Sequence, residues 1–206
     1  IERGEFVGVI GRNGAGKSTF TQALLGLVPN FYHGAYGGSV TIDGQNVRES
    51  SVDELCRKVG LVFQNPFNQV TGSKLTVYEE IAFGLENFGV PPKEMRRRID
   101  AAMELLDIAQ YKDRAPFDLS GGQMQRMALA GIIVMEPEVI VMDEPTSQLD
   151  PQGSEDVFRA VDVLRAQGKT IVMVEHKIEK IAAYSDRVML LDEGRLVAMD
   201  TPRAIF

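Results

Sequence analysis

The chain has 206 residues, 44% of them hydrophobic and 25% charged, which suits one folded domain and excludes a disordered or fibrous polypeptide. A formal net charge of -7 argues against a nucleic-acid binder that works through a basic face, so no nucleic-acid partner is expected. The single cysteine, Cys56, excludes an internal disulfide and a multi-cysteine metal site, and no apolar run reaches the roughly 18 residues of a membrane span.

The first element, EFVGVI at 5–10, is a short apolar run rich in β-branched residues, as expected of a buried strand. With no initiator Met and a strand so near the start, the chain reads as a fragment lacking its natural N-terminal segment. A glycine-rich turn leads into a helix, STFTQALLGL. SVTIDG (39–44) then reads as a strand ending in an Asp-Gly turn, and VGLVF (59–63) as another buried strand. Cys56 reads as a small apolar side chain on a helix.

From Thr76 to Phe88, and again from Lys93 to Ala109, the pattern is helical, broken by Val90-Pro91-Pro92. In the second helix Met95, Ile99, Ala102, Leu105 and Leu106 share a face. Arg96, Arg97 and Arg98 crowd together, and their simplest reading is a solvated face or a partner contact. After LSGGQ comes a further helix, then strands VIVMD (139–143), TIVMVEH (170–176) and RVMLLD (187–192), separated by helices over 152–167 and 177–185. Strands alternating with helices predict an α/β fold, a mainly parallel sheet covered on both faces. One domain is expected, with 1–64 and 137–206 forming the α/β core and 65–136 an inserted helical subdomain.

GRNGAGKS, Gly11 to Ser18, fits G-x-x-x-x-G-K-[ST] between a strand and a helix, the setting a P-loop requires. Glycines there let backbone N–H groups turn toward phosphate oxygens, and the helix dipole adds to their pull. Gly11, Asn13, Gly14, Ala15, Gly16, Lys17, Ser18 and Thr19 are therefore the expected phosphate-binding residues of a nucleotide site, which by itself suits a kinase, a GTPase, a helicase or a transport ATPase. Lys17 would reach the outer phosphates and Ser18 would offer its hydroxyl to Mg²⁺. Asp143 ends a buried strand, where open α/β sheets bind ligands, and a carboxylate there can hold the Mg²⁺ shell. Glu144 either caps the strand end or polarises a water attacking the γ-phosphate, and the P-loop favours the second role.

Ser120 and Gln123 make a capping box for the helix ahead, but the box does not account for Gly121 and Gly122. Glycines at a helix start suit a close approach by an anion, so this stretch reads as a second phosphate clamp. A single nucleotide need not span both clamps of one chain. A head-to-tail pair, each clamp closing over the other chain's P-loop, is the economical arrangement.

GRNGAGKST, Gln64 after a strand, LSGGQ, VIVMDEP, SQLD and EH together resemble the nucleotide-binding domain of ABC ATPases, along nearly the whole chain and in the right order. The resemblance implies two domains sandwiching two ATP molecules. Gln64 would contact Mg²⁺ and the attacking water and sense a membrane partner at the helical insertion. Ser120, Gly121, Gly122 and Gln123 would bind the γ-phosphate from the opposite subunit, Ser147 to Asp150 would cross the dimer seam, and His176 would touch the γ-phosphate. QNPFNQV, 64–70, is similar to a stretch in the ATPases of energy-coupling factor (ECF) importers, which take up vitamins or cobalt and nickel ions. The implied protein is a peripheral ATPase on the cytoplasmic face of a membrane, soluble when isolated, partnered by a second ATPase and by integral-membrane subunits. The alternatives are a conventional ABC importer ATPase, a soluble ABC ATPase acting on ribosomes, and a regulatory half that binds ATP without turning it over. The family's adenine-stacking aromatic lies well upstream of the P-loop, so it is not expected among the ten residues that precede Gly11 here, where Phe6 belongs to the strand.

Overall fold

The computed structural model describes residues 1–206. They form two compact units: the first comprises 1–61, 137–144 and 168–206, the second 62–136 and 145–167.

The first unit is built on a sheet. Its strands are β1 (Phe6–Gly11), β4 (Val59–Val62), β5 (Val139–Asp143), β6 (Thr170–Val174), β7 (Arg187–Asp192) and β8 (Arg195–Asp200), in the spatial order β4-β5-β6-β1-β7-β8. β5 with β6, β6 with β1, and β1 with β7 pair in parallel, and β8 returns antiparallel along β7. The expected mainly parallel α/β sheet is thus present. Its central strands are apolar because both faces are covered: Phe6, Val7, Ile140, Val141, Ile171 and Val174 have no exposed surface. A side chain at Gly8 would meet Ile181 at 2.5 Å, so glycine in EFVGVI lets helix α8 (Ile178–Tyr184) lie close on β1.

The other helices of this unit are α1 (Lys17–Leu24), the single turn α2 (Leu27–Asn30), α3 (Val52–Lys58) and, at the chain end, α9 (Pro202–Ile205). SVTIDG contributes only Thr41–Ile42 (β2), which pairs with Gln45–Asn46 (β3) around the Asp43-Gly44 turn. α3 begins at a capping box, Ser51 with Glu54, and carries Cys56 on an exposed face rather than in the core.

The second unit is helical, with α4 (Val77–Asn87), α5 (Pro92–Leu105), α6 (Gly121–Ile133) and α7 (Pro151–Ala166). Thr76 and Glu79 box the start of α4, and Pro92 opens α5, as its fixed φ permits at a first helical position. α5 stops short of Ala109, because the chain turns at Asp107 with φ 51°. Ile99, Ala102 and Leu106 on its apolar face are buried. Of the arginine trio, Arg97 and Arg98 pair with Glu94 and Glu136, so two of the three are spent on ion pairs. No helix is long and apolar enough to cross a membrane.

Candidate functional site

The C-terminal ends of three neighbouring parallel strands, β5, β6 and β1, carry the chemistry of the first unit. After β1 the chain turns through Gly14 (φ 81°) and Gly16 (φ 95°), left-handed conformations that cost glycine little. Gly16 is the N-cap of α1 and offers no side chain, so no capping group covers the first N–H groups of that helix. Orphan N–H donors at a helix start are the elementary anion site. Lys17, only 6% exposed, donates from Nζ to the carbonyls of Gly11 (2.9 Å) and Arg12 (3.1 Å), which keeps the ammonium inside the curve of the loop.

Asp143 closes β5. The residue is 7% exposed, and Oδ1 is buried without a hydrogen-bond partner. Burial pushes its pKa up and the neighbouring Glu144 adds to this, while Ser18, Lys17 and Thr21 pull it back. An orphaned carboxylate oxygen beside a P-loop serine fits a cation delivered with phosphate. No cluster of three or more His, Cys, Asp or Glu residues could hold a metal unaided.

Glu144 takes φ 49°, an uncommon conformation for a non-glycine residue and one that tends to occur at functional positions. Its N–H donates to the Val174 carbonyl at 2.9 Å, and its Oε1 lies 2.8 Å from Nε2 of His176. The register of β5 and β6, Asp143 opposite Val174, brings these two together. Glu175, which the sequence reading did not single out, sets the histidine's turn: 4% exposed, its Oε2 accepts the N–H groups of His176 (2.9 Å) and Lys177 (3.3 Å). Its acidic position in EH was the available signal. A cleft of about 450 Å³ runs beside Gly11, Arg12, Glu175, His176 and Asp192.

The second unit holds the other expected residues. Ser120 and Gln123 form the capping box in both directions, at 3.3 and 3.0 Å. A Cβ at Gly121 would lie 3.2 Å from Gln148 Oε1, and one at Gly122 would lie 3.2 Å from Leu149 Cδ2. The glycines therefore also admit the 147–150 segment of their own chain, which the sequence reading did not anticipate. Ser147 is exposed in that segment, and Asp150 is the N-cap of α7, its Oδ1 accepting from the Gly153 N–H at 2.7 Å. Asp-Pro at 150–151, a cap residue before a proline at the first helical position, was the readable sign of this role. Gln64 is exposed in the loop that follows β4.

A family model described as ABC transporter matches residues 1–147. The chain belongs to the ABC transporter ATP-binding family. This ABC ATPase is 47% identical to an ABC transporter ATP-binding protein of Pyrococcus horikoshii over 207 residues, covering 100% of the chain and 72% of the relative. It is 42% identical to the energy-coupling factor transporter ATP-binding protein EcfA1 of Streptococcus agalactiae, covering 100% of the chain and 71% of that protein. Among solved structures it resembles cbiO1 of Clostridium perfringens, described as part of the ABC transporter complex cbiONQ: TM-score 0.85, 36% identity, 100% of this chain and 80% of that one. It also resembles the ATP-binding cassette MJ0796, in a dimeric post-hydrolysis state with ADP and Pi, at TM-score 0.85 and 29% identity, covering 98% and 88%. The ABC ATPase binds ATP and hydrolyses it in support of transport.

Proposed function

We propose that the chain is the motor ATPase of an ABC importer of the ECF type, taking up a vitamin or a transition-metal ion. It works with a second ATPase subunit as a head-to-tail pair enclosing two composite ATP sites, peripheral to the cytoplasmic face of a membrane. Its membrane-embedded partners are engaged through the helical subdomain, 65–136. The name of its relative EcfA1 supports the ECF assignment, as does the QNPFNQV stretch, and cbiO1, described as part of a transporter complex, supports partner subunits.

The observation that carries the paired reading is the second helix start, Ser120 to Gln123, in a chain that already has a P-loop. Each start can receive phosphate oxygens, and one ATP between two chains uses both. Gly11 to Thr19 cradle the phosphates of the chain's own ATP, with Lys17 drawing charge from the outer ones. Ser120, Gly121, Gly122 and Gln123 close over the γ-phosphate of the partner's ATP, with Ser147 and Asp150 in the loop at the seam. Closure follows ATP because these contacts exist only in the closed pair.

Ser18, Asp143 and, by family resemblance, Gln64 are the residues that would hold Mg²⁺, whose chemistry there is to neutralise charge on the phosphates. Glu144 takes the proton of the attacking water through Oε1, and His176 fixes that carboxylate and contacts the γ-phosphate. General-base help of this kind is worth about 10²- to 10⁴-fold in rate.

The test uses the full-length protein. Glu144→Gln is expected to abolish turnover and to accumulate an ATP-dependent dimer in size-exclusion chromatography. Adding Ser120→Arg should remove that dimer while ATP still binds the chain's own P-loop. A wild type no faster than Glu144→Gln would sink the hydrolytic role, and a dimer indifferent to Ser120→Arg would sink the trans clamp.

A further inference from the structure

Two glutamines outside the expected site bind the Gln64 loop to the helix that bears the clamp. The backbone of Phe63, the residue before Gln64, is held on both sides by side chains. Its N–H donates to Gln69 Oε1 at 3.4 Å, and its carbonyl accepts from Gln125 Nε2 at 3.3 Å. Gln69 then donates from Nε2 to the Ala128 carbonyl at 2.8 Å. Gln125 and Ala128 both belong to α6, whose first turn is the Ser120 clamp.

Between these anchors the loop is internally closed. Asn65 Oδ1 accepts the Phe67 N–H, Asn68 N–H donates back to the Asn65 carbonyl, and Gln69 N–H donates to the Pro66 carbonyl. Asn65, Pro66 and Gln69 of QNPFNQV thus each have a structural task, and all of them fix the segment that carries Gln64. Gln125 is 1% exposed, and its Oε1 is buried with no partner. A leucine or methionine would fill that place in α6 without the stranded Oε1, so packing alone does not account for glutamine there. What glutamine supplies is the Nε2 donor to Phe63.

We propose that Gln69 and Gln125 are positioning residues that hold the Gln64 loop on α6, so that the loop and the Ser120 clamp shift as one body when ATP binds or leaves. The inference rests on the reading of Gln64 and Ser120 as parts of ATP sites. It adds a mechanical link between them within one chain: a displacement at either is felt at the other through α6, in both directions.

The experiment is a double-mutant cycle on ATP turnover in the full-length protein. Gln125→Leu removes the stranded Oε1 and, with the donor, the side-chain partner of the half-buried Phe63 carbonyl, so the two effects oppose and Tm is expected to change little. Turnover should fall by about tenfold, while ATP binding, measured in the Glu144→Gln background, is unchanged. In a Gln64→Ala background the same substitution should change kcat by less than about twofold, because the residue it acts through is gone. Gln69→Met, at a half-buried position, gives the same readout should Gln125→Leu fail to fold. Unchanged turnover in these variants overturns the proposal, and so does an equal loss in both backgrounds, which is the mark of a purely structural role. A wild type no faster than Glu144→Gln overturns instead the ATPase reading on which the proposal stands.

Discussion

His176 Nε2 and Glu144 Oε1 lie 2.8 Å apart although 32 residues separate them in the chain. Each follows the end of a strand, and the in-register pairing of β5 with β6 sets the distance. Glu144 holds a left-handed backbone conformation to stay there. Two residues placed with such care act as a unit, and units respond non-additively to substitution. His176→Ala should lower ATP turnover by about 10²-fold, with the Glu144→Gln, His176→Ala double variant no slower than the slower single one. Steady-state kinetics on the four proteins checks this. Losses that multiply would show that the pair acts through separate contacts.

Asp143 presents a conflict between stability and function. Its buried carboxyl has a raised pKa, chiefly from desolvation, and one oxygen has no partner. The sign follows from linkage. As pH rises, the unfolded carboxyl ionises first, so ionisation favours the unfolded state. Asp143→Asn removes that penalty. The nucleotide-free variant should melt higher than wild type at pH 7 to 8, by about 2–4 °C for each 1 kcal/mol gained. The gap should begin to close as pH falls below the raised pKa and vanish below the ordinary value of 3.8, and ATP turnover should be lost throughout. Thermal denaturation of both proteins from about pH 3.5 to 8 is the measurement, and a variant that melts lower at pH 8 would contradict it.

Much of this was legible in the sequence, for identifiable reasons. The P-loop is a local motif whose glycines and lysine act within one turn, so nothing beyond Gly11 to Ser18 was needed to find it. VIVMD and RVMLLD were read with their full bounds, because strands covered on both faces are continuously apolar. β8, by contrast, was missed: Arg195, Leu196 and Val197 are exposed, and an edge strand with one bare face gives no such run. Its sign was the turn at Glu193 and Gly194, both at positive φ. The Glu144–His176 contact was not anticipated: the sequence brought each residue to the γ-phosphate separately, and their pairing depends on strand order, a long-range property. The packing of Gln148 and Leu149 on Gly121 and Gly122 was not legible at all. A glycine records that something approaches, not what does.

The buried ion pair of the helical unit gives a stability prediction. Asp156 is 3% exposed, with Oδ2 3.2 Å from Arg126 Nη1 and Oδ1 accepting from Gln152 at 3.1 Å. Arg126 also donates to the carbonyl of Leu106 at 3.2 Å. Removing one partner of such a pair strands the other charge, at a cost of about 3–5 kcal/mol. Asp156→Ala should therefore lower the urea midpoint sharply, by a large part of the roughly 5–15 kcal/mol typical of a domain. The apolar double replacement Arg126→Met, Asp156→Leu should recover most of it, since neither charge is left buried. A double variant as unstable as Asp156→Ala would show that the loss came from packing.

Glu94 supplies a pH signature of its own. Arg97 donates to both its oxygens, at 2.6 and 2.9 Å, and Arg98 to one at 2.7 Å. These bonds lower its pKa from an ordinary 4.5 to about 2. A depressed carboxyl pKa stabilises the folded state above the unfolded value, and that contribution is lost as pH falls through the folded one. The difference in stability between wild type and Glu94→Gln should thus be constant from pH 5 to 7 and shrink steadily from about 4.5 toward 2. The cluster is solvent-accessible, so the difference is small and salt should reduce it further. Urea unfolding of the two proteins at pH 3, 4, 5 and 7, at low and high salt, measures it. A difference that grew on acidification would mean that the two arginines do not hold Glu94 as its short hydrogen bonds require.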